Sequence, residues 1–102
     1  MKRGEIWFAK TLGGDRPVLV LTRDPVADRI GSVVVAALTR TPRGLVSELE
    51  LTPEADGVPT ECVVNFDILH TLPRDAFRQP VTQLTPGRIA ESCRVLRDST
   101  GC

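Results

Sequence analysis

Apolar positions along this chain fall into short runs separated by turn-forming residues. Residues 4–9 (G-E-I-W-F-A) begin in alternation and carry Ile6, Trp7 and Phe8, which predicts a strand. Gly13-Gly14-Asp15 marks a turn. Residues 16–22 (R-P-V-L-V-L-T) predict a second strand, with Pro17 near its start, where a missing N–H is tolerated. Residues 23–31 predict a loop. Residues 32–39 (S-V-V-V-A-A-L-T) form a continuous apolar run, the pattern of a strand covered on both faces. Pro42 and Gly44 place a turn at 40–44, and residues 46–51 (V-S-E-L-E-L) alternate as a half-exposed strand does. Residues 52–59, with two prolines and Gly57, predict a loop. Residues 61–66 and 69–72 predict two short strands joined at Asp67, and 73–80 an irregular or 3₁₀ turn. Thr85-Pro86 opens a helix, because Thr is a favoured N-cap and Pro a favoured first helical residue. Ile89, Cys93 and Leu96 give that helix one apolar stripe, and it is expected to end near Asp98.

The pattern therefore predicts five or six short strands and one C-terminal helix. That is a mainly β fold with some α, a small antiparallel barrel or curled sheet. With 102 residues the chain has the size of one domain, expected over residues 1–102, without repeats or low-complexity segments. A domain this small gains from burying a face against a second copy of itself.

Composition narrows the classes. Apolar residues make up 41% and charged residues 25% of the chain, an ordinary globular balance. The longest apolar stretch, 33–38, is far short of a bilayer span. The charged N-terminus runs directly into a strand with no apolar h-region, so a cytoplasmic protein is expected. Cys62, Cys93 and Cys102 are odd in number and widely spaced, which argues against a disulfide framework or a zinc site. Net charge is zero, unlike a typical nucleic-acid binder. A local basic cleft is compatible with that neutrality, since an enzyme that must release its product needs few phosphate contacts.

Several ordered stretches resemble the MazF/PemK (Kid-type) toxin family. Arg3-Gly4-Glu5-Ile6-Trp7 is similar to its opening R-G-(E/D)-(I/V)-(W/Y). Residues 14–21 (G-D-R-P-V-L-V-L) resemble its Arg-Pro strand, and residues 34–39 (V-V-A-A-L-T) a strand ending in a functional Ser or Thr. Residues 63–72, with Asp67 and Thr71, resemble its (D/E)-Q-(I/V)-R-T-(I/L) segment, with Ile68 in place of Gln and His70 in place of Arg. The order and spacing cover nearly the whole chain.

The resemblance implies an SH3-like barrel of the PemK/CcdB type that dimerises. It also implies a toxin of a type II toxin–antitoxin system: a metal- and cofactor-independent endoribonuclease acting on single-stranded or loop RNA and silenced by a cognate antitoxin. In the family the 2′-hydroxyl attacks its own phosphate, leaving a 2′,3′-cyclic phosphate and a 5′-hydroxyl.

That reaction must remove a proton from the 2′-hydroxyl, hold the charge on phosphorus and protonate the leaving oxygen. Arginine suits the second task, because its fork of N–H donors matches phosphate oxygens. Arg16, Thr39 and Asp67 match the family's functional positions and are the candidate catalytic residues. Arg16 would hold phosphate, the Thr39 hydroxyl would position it, and Asp67 would serve as base or orient Arg16. Each also has a plain reading: a surface arginine paired with Asp15 or another carboxylate, a strand-end threonine, and a turn aspartate. Asp15, Arg40, Arg43 and His70 are candidate RNA contacts. The alternative for Arg40 and Arg43 is solvated loop residues, and for His70 a packed or surface histidine. Trp7 and Phe8 would stack a base or sit in the core. The first loop, 10–15, is shorter than the family's, leaving the groove open to a bulkier RNA such as a tRNA stem-loop. Sequence preference would lie in loops such as 23–31 and 40–44.

Two other functions share this fold: a CcdB-like toxin that binds gyrase, and a non-catalytic SH3-like module that binds RNA or protein. The predicted helix carries no aromatic residue of the kind gyrase binding uses. Arg16 with Thr39 favours the nuclease.

Overall fold

The computed structural model describes residues 1–23 and 31–102. Most of the predicted 23–31 loop lies outside those residues. The strands are β1 (Glu5–Thr11), β2 (Gly14–Val20), β3 (Ser32–Thr39), β4 (Glu48–Leu51), β5 (Cys62–Pro73) and β6 (Phe77–Gln83). A one-turn helix, α1 (Pro53–Asp56), follows β4, and the long helix α2 (Pro86–Thr100) closes the chain. The strands pair antiparallel in a single curled sheet of order β4-β5-β3-β2-β1-β6. This is the mainly β, helix-terminated architecture that the pattern predicts.

Two apolar clusters lie on opposite faces of the sheet. One holds Ile6, Leu19, Leu51, Val64 and Phe66, with Ile89, Val95 and Leu96 of α2 packed against it. The other holds Val18, Val20, Val33, Val35 and Leu72, joined by Trp7 and Phe77 in an edge-to-face pair with centroids 6.0 Å apart. Strand β3 shows why its sequence is continuously apolar. Val33 and Val35 enter one cluster while Ala36 and Leu38 enter the other, and the mid-sheet position leaves no polar face.

Strand β2 starts and ends two residues earlier than the 16–22 read for it, and four elements differ more from the pattern's expectation. The two short strands expected around Asp67 are one twelve-residue strand, β5. Its register to β3 jumps from Leu69, opposite Ala36, to Asn65, opposite Ala37, so residues 66–68 form a bulge that has no partner on β3. Loop 40–47 supplies the bulge with partners. The Ser47 carbonyl accepts the Phe66 N–H at 2.8 Å, and Ser47 Oγ donates to Asp67 Oδ2 at 2.6 Å.

The second difference is β6, which falls within the region read as a turn and beyond it. Its polar R-Q-P core hides any alternation, and Pro80 is tolerated because β6 is an edge strand paired only with β1. The third is α1, inside the expected 52–59 loop. Pro53 occupies its first turn, Thr52 Oγ1 accepts the Ala55 N–H at 3.1 Å, and Gly57 closes it at φ 74°. These residues read as loop signals because one turn of helix is mostly caps. Finally, α2 continues past Asp98 to Thr100, where Gly101 at φ 76° donates its N–H to the Arg97 carbonyl.

The register of the helix against the sheet is tight at Gly4. Its φ is +90°, and a Cβ there would lie 2.3 Å from Ile89 Cδ1. Backbone strain and the clash act together, so Gly4→Ala is expected to destabilise the protein by about 1–3 kcal/mol, read as a lower urea midpoint with an unchanged slope.

Candidate active site

The hairpin between β1 and β2 is paired to its tip, with Thr11 opposite Gly14. Among the described residues only glycines have positive φ. Leu12 and Gly13 therefore take ordinary backbone, and Gly14 takes φ +98°, the arrangement of a type I turn closed by a glycine bulge. Thr11 Oγ1 fastens the turn, donating to the Gly14 carbonyl at 2.7 Å and accepting the Gly13 N–H at 3.2 Å. The first loop is thus a rigid two-residue tip.

Arg16 and Thr39 are brought together by strand register. Val18 pairs with Ala37, the last pair of the β2–β3 ladder, and Arg16 and Thr39 lie two residues beyond it on their strands. Both line a cleft of about 540 Å³ whose other walls include Phe8, Pro17, Val58 and Pro59. Asp15 and Arg40 line it too. The cleft therefore joins a fixed cation, a hydroxyl, a carboxylate and a second cation to an apolar wall. That composition suits an unpaired nucleotide, which presents a phosphate, a ribose hydroxyl and a flat base.

Arg16 is half-buried and its ion pair with Asp15, one plain reading of its sequence, does not form. Among the described residues its single hydrogen bond runs from Nη2 to the Gly13 carbonyl at 3.0 Å. Its Nε is shut off from solvent with no acceptor. Buried donors are normally paired. A guanidinium held by one contact with donors in reserve is what a phosphate-binding arginine requires.

Other predicted residues sit elsewhere. Asp67 does not line the cleft. It projects from the β5 bulge, and its bonds go to Ser47 Oγ and, through its own N–H, to Asn65 Oδ1 at 2.9 Å, not to Arg16. Arg43 also lies outside the cleft lining, its backbone N–H donating to Glu48 Oε1 at 2.8 Å. His70 lines a separate hollow together with Lys10, Asp75 and Arg78. Trp7 and Phe8 divide the two readings offered for them. Trp7 packs in the core and donates Nε1–H to Glu5 Oε1 at 3.0 Å, whereas Phe8 is partly exposed and faces the cleft.

Sequence reasoning missed the wall formed by Val58, Pro59, Thr60 and Cys62. No local signal marks it, because it arises from the chain between α1 and β5 folding over the end of β3. Burial, and secondarily the charge of Asp56, push the Cys62 thiol above its usual value. Less thiolate is present at a given pH, so iodoacetamide near pH ~8 is expected to label exposed Cys102 before Cys62, as peptide mapping would show.

Fold and cleft together define a class. The family profile described as "PemK-like, MazF-like toxin of type II toxin-antitoxin system" matches residues 2–100, and the chain belongs to that family. It is 72% identical over all 102 residues, and over the full length of both chains, to the probable endoribonuclease MazF2 of Mycobacterium tuberculosis. It is 34% identical over 101 residues, 98% of this chain and 93% of the relative, to the probable endoribonuclease MazF5 of the same species. Among solved structures, the M. tuberculosis toxin MazF-mt6 superposes with a TM-score of 0.86 at 28% identity, covering 95% of this chain and 96% of that one. A mycobacterial endoribonuclease in complex with its cognate antitoxin shares the fold at a TM-score of 0.88 and 23% identity, covering 99% and 95%.

Proposed function

We propose that this toxin is an endoribonuclease that cleaves single-stranded or loop RNA by internal attack of the 2′-hydroxyl on phosphorus. The carrying observation is the cleft that Arg16 and Thr39 both line, with the Arg16 guanidinium held among the described residues by one hydrogen bond and no ion pair. The names of its full-length mycobacterial relatives support the same reading.

In this cleft Arg16 binds the non-bridging phosphate oxygens and holds the charge that grows on them as the pentacoordinate phosphorane forms. The Thr39 hydroxyl donates to the same phosphate and fixes its orientation. Asp15 is the carboxylate within the cleft, so it accepts the hydrogen bond of the attacking 2′-hydroxyl. Arg40 steadies the neighbouring phosphate, and Phe8 with the Val58–Pro59 wall receives a base. As the 2′-oxygen bonds to phosphorus its proton passes to Asp15; the bond from phosphorus to the 5′-oxygen then breaks and the leaving oxygen takes a proton from solvent, giving a 2′,3′-cyclic phosphate and a 5′-hydroxyl. The RNA supplies its own nucleophile, so no metal-bound water is needed. Asp67, placed outside this cleft, has no part in these steps within one chain.

The active unit is a homodimer in the cytoplasm, inhibited by a cognate antitoxin that covers the cleft. Support for the dimer comes from partly exposed apolar side chains on one region of the surface. Val34 and Leu69 share a face of neighbouring strands, and Leu45 and Val46 precede the Ser47 anchor at the bulge. Among the described residues no helix is long and apolar enough to cross a membrane.

The test is to incubate purified protein with total RNA in EDTA and map new 5′-hydroxyl ends. Discrete cuts are expected, and their positions name the substrate. Intact RNA from a folded preparation would overturn the reading and direct the next assay to gyrase.

A further inference from the structure

We infer that Gly13 is a positioning residue for Arg16: the hairpin tip sets the guanidinium in the cleft, and only a glycine there leaves room for it. The inference rests on the nuclease reading and identifies what holds its central cation.

The four residues of the turn have separable roles. Gly14 is required by the backbone, since its φ is +98° and a Cβ there would meet nothing within 4 Å. Gly13 is the reverse case. Its φ lies outside the left-handed region, so the backbone conformation does not itself call for glycine. A Cβ at Gly13, however, would lie 3.0 Å from Arg16 Nη2, 3.2 Å from Cζ and 3.6 Å from Nε. The guanidinium lies against the bare Cα of Gly13 while its Nη2 donates to the Gly13 carbonyl at 3.0 Å. One residue thus supplies both the acceptor that orients the fork and the empty space that the fork occupies.

The turn carrying Gly13 cannot easily shift to relieve a clash. Thr11 Oγ1 holds it at both the Gly13 N–H and the Gly14 carbonyl, and the strands are paired up to Thr11 and Gly14. The guanidinium, at the far end of a flexible side chain, is the part that moves. A methyl group at position 13 therefore displaces Arg16 by a few tenths of an ångström at least and leaves the fold in place. Leu12, fully exposed at the tip, contributes nothing to this arrangement. The short hairpin is a fixed bracket for the arginine.

The test compares wild type, Gly13→Ala, Arg16→Lys and the double variant Gly13→Ala/Arg16→Lys on an oligonucleotide containing a site cut by the wild type. Gly13→Ala is expected to lower kcat by about tenfold or more, since small misplacements of a catalytic group are costly. KM should change little, and the melting temperature should stay at or above the wild-type value. A lysine has no planar fork against the tip, so adding Gly13→Ala to Arg16→Lys should lower kcat no further. Wild-type kcat in Gly13→Ala would overturn the inference, as would an equal loss in both backgrounds. Absence of cleavage by the wild type would instead overturn the nuclease reading itself.

Discussion

Arg16→Ala is expected to lower RNA cleavage by about 10²–10³-fold, the usual cost of removing one preorganised donor set from a developing anion. The loss should appear in kcat, because the phosphate carries more charge on each non-bridging oxygen in the phosphorane than in the ground state. Folding should be nearly unaffected. Arg16 makes one hydrogen bond, to the Gly13 carbonyl, and no ion pair among the described residues. Removing it relieves the orphaned Nε donor as well. A melting temperature close to wild type, measured beside the rate, separates lost chemistry from lost structure. A variant that retained more than about a tenth of the rate would place the anion-stabilising group elsewhere.

Arg88→Ala is expected to have the largest effect on stability, although Arg88 lies outside the cleft. Its guanidinium clamps the Asp56 carboxylate through Nε at 2.9 Å and Nη2 at 3.2 Å. It also donates to Glu91 at 2.8 Å and to the Glu50 carbonyl. The Asp56 side chain is 1% exposed and that of Arg88 24%. The pair ties α1 to α2, and the Thr52 N–H adds a donor to Asp56 Oδ2 at 3.0 Å. Truncating Arg88 leaves a buried carboxylate with that single backbone donor. Breaking a buried pair in this way costs about 3–5 kcal/mol. For a domain of this size the melting temperature falls by at least ~12 °C. Asp56→Leu/Arg88→Met, which removes both charges, should recover much of the loss. The bond to Asp56 raises the Arg88 pKa above its ordinary value. A raised cationic group keeps its stabilising charge below its unfolded pKa and loses it only as pH rises through the folded one. The arginine therefore stays charged throughout the working range, and the pair does not weaken from its side.

Local sequence determined most of the sheet and one end of the site. The apolar run of β3 and the Thr-Pro start of α2 each carry a signal over neighbouring residues, and each element forms where its signal stands; β2 forms over most of its apolar run but begins two residues before Arg16. Such patterns are legible because strand alternation and helix caps are properties of adjacent residues. The ordered set of motifs also pointed to the family that the full-length match establishes.

Tertiary structure decided the rest. Strand β6 exists because β1 offers it an open edge, a partner that its own polar sequence does not reveal. Residues 66–68 bulge because the β3 register shifts there, and loop 40–47 satisfies the displaced groups. The same bulge sets Asp67 against Ser47 and outside the cleft that Arg16 lines, although the family resemblance offered it as a base or as a partner that orients Arg16. His70 and Arg43 are likewise drawn away from the cleft by the strand and loop that bear them. The meeting of Arg16 with Thr39, and the room that Gly13 leaves for the guanidinium, depend on which strand lies next to which. That choice is set by packing two apolar clusters on opposite faces of one sheet, a property of the whole chain that no local run of residues encodes.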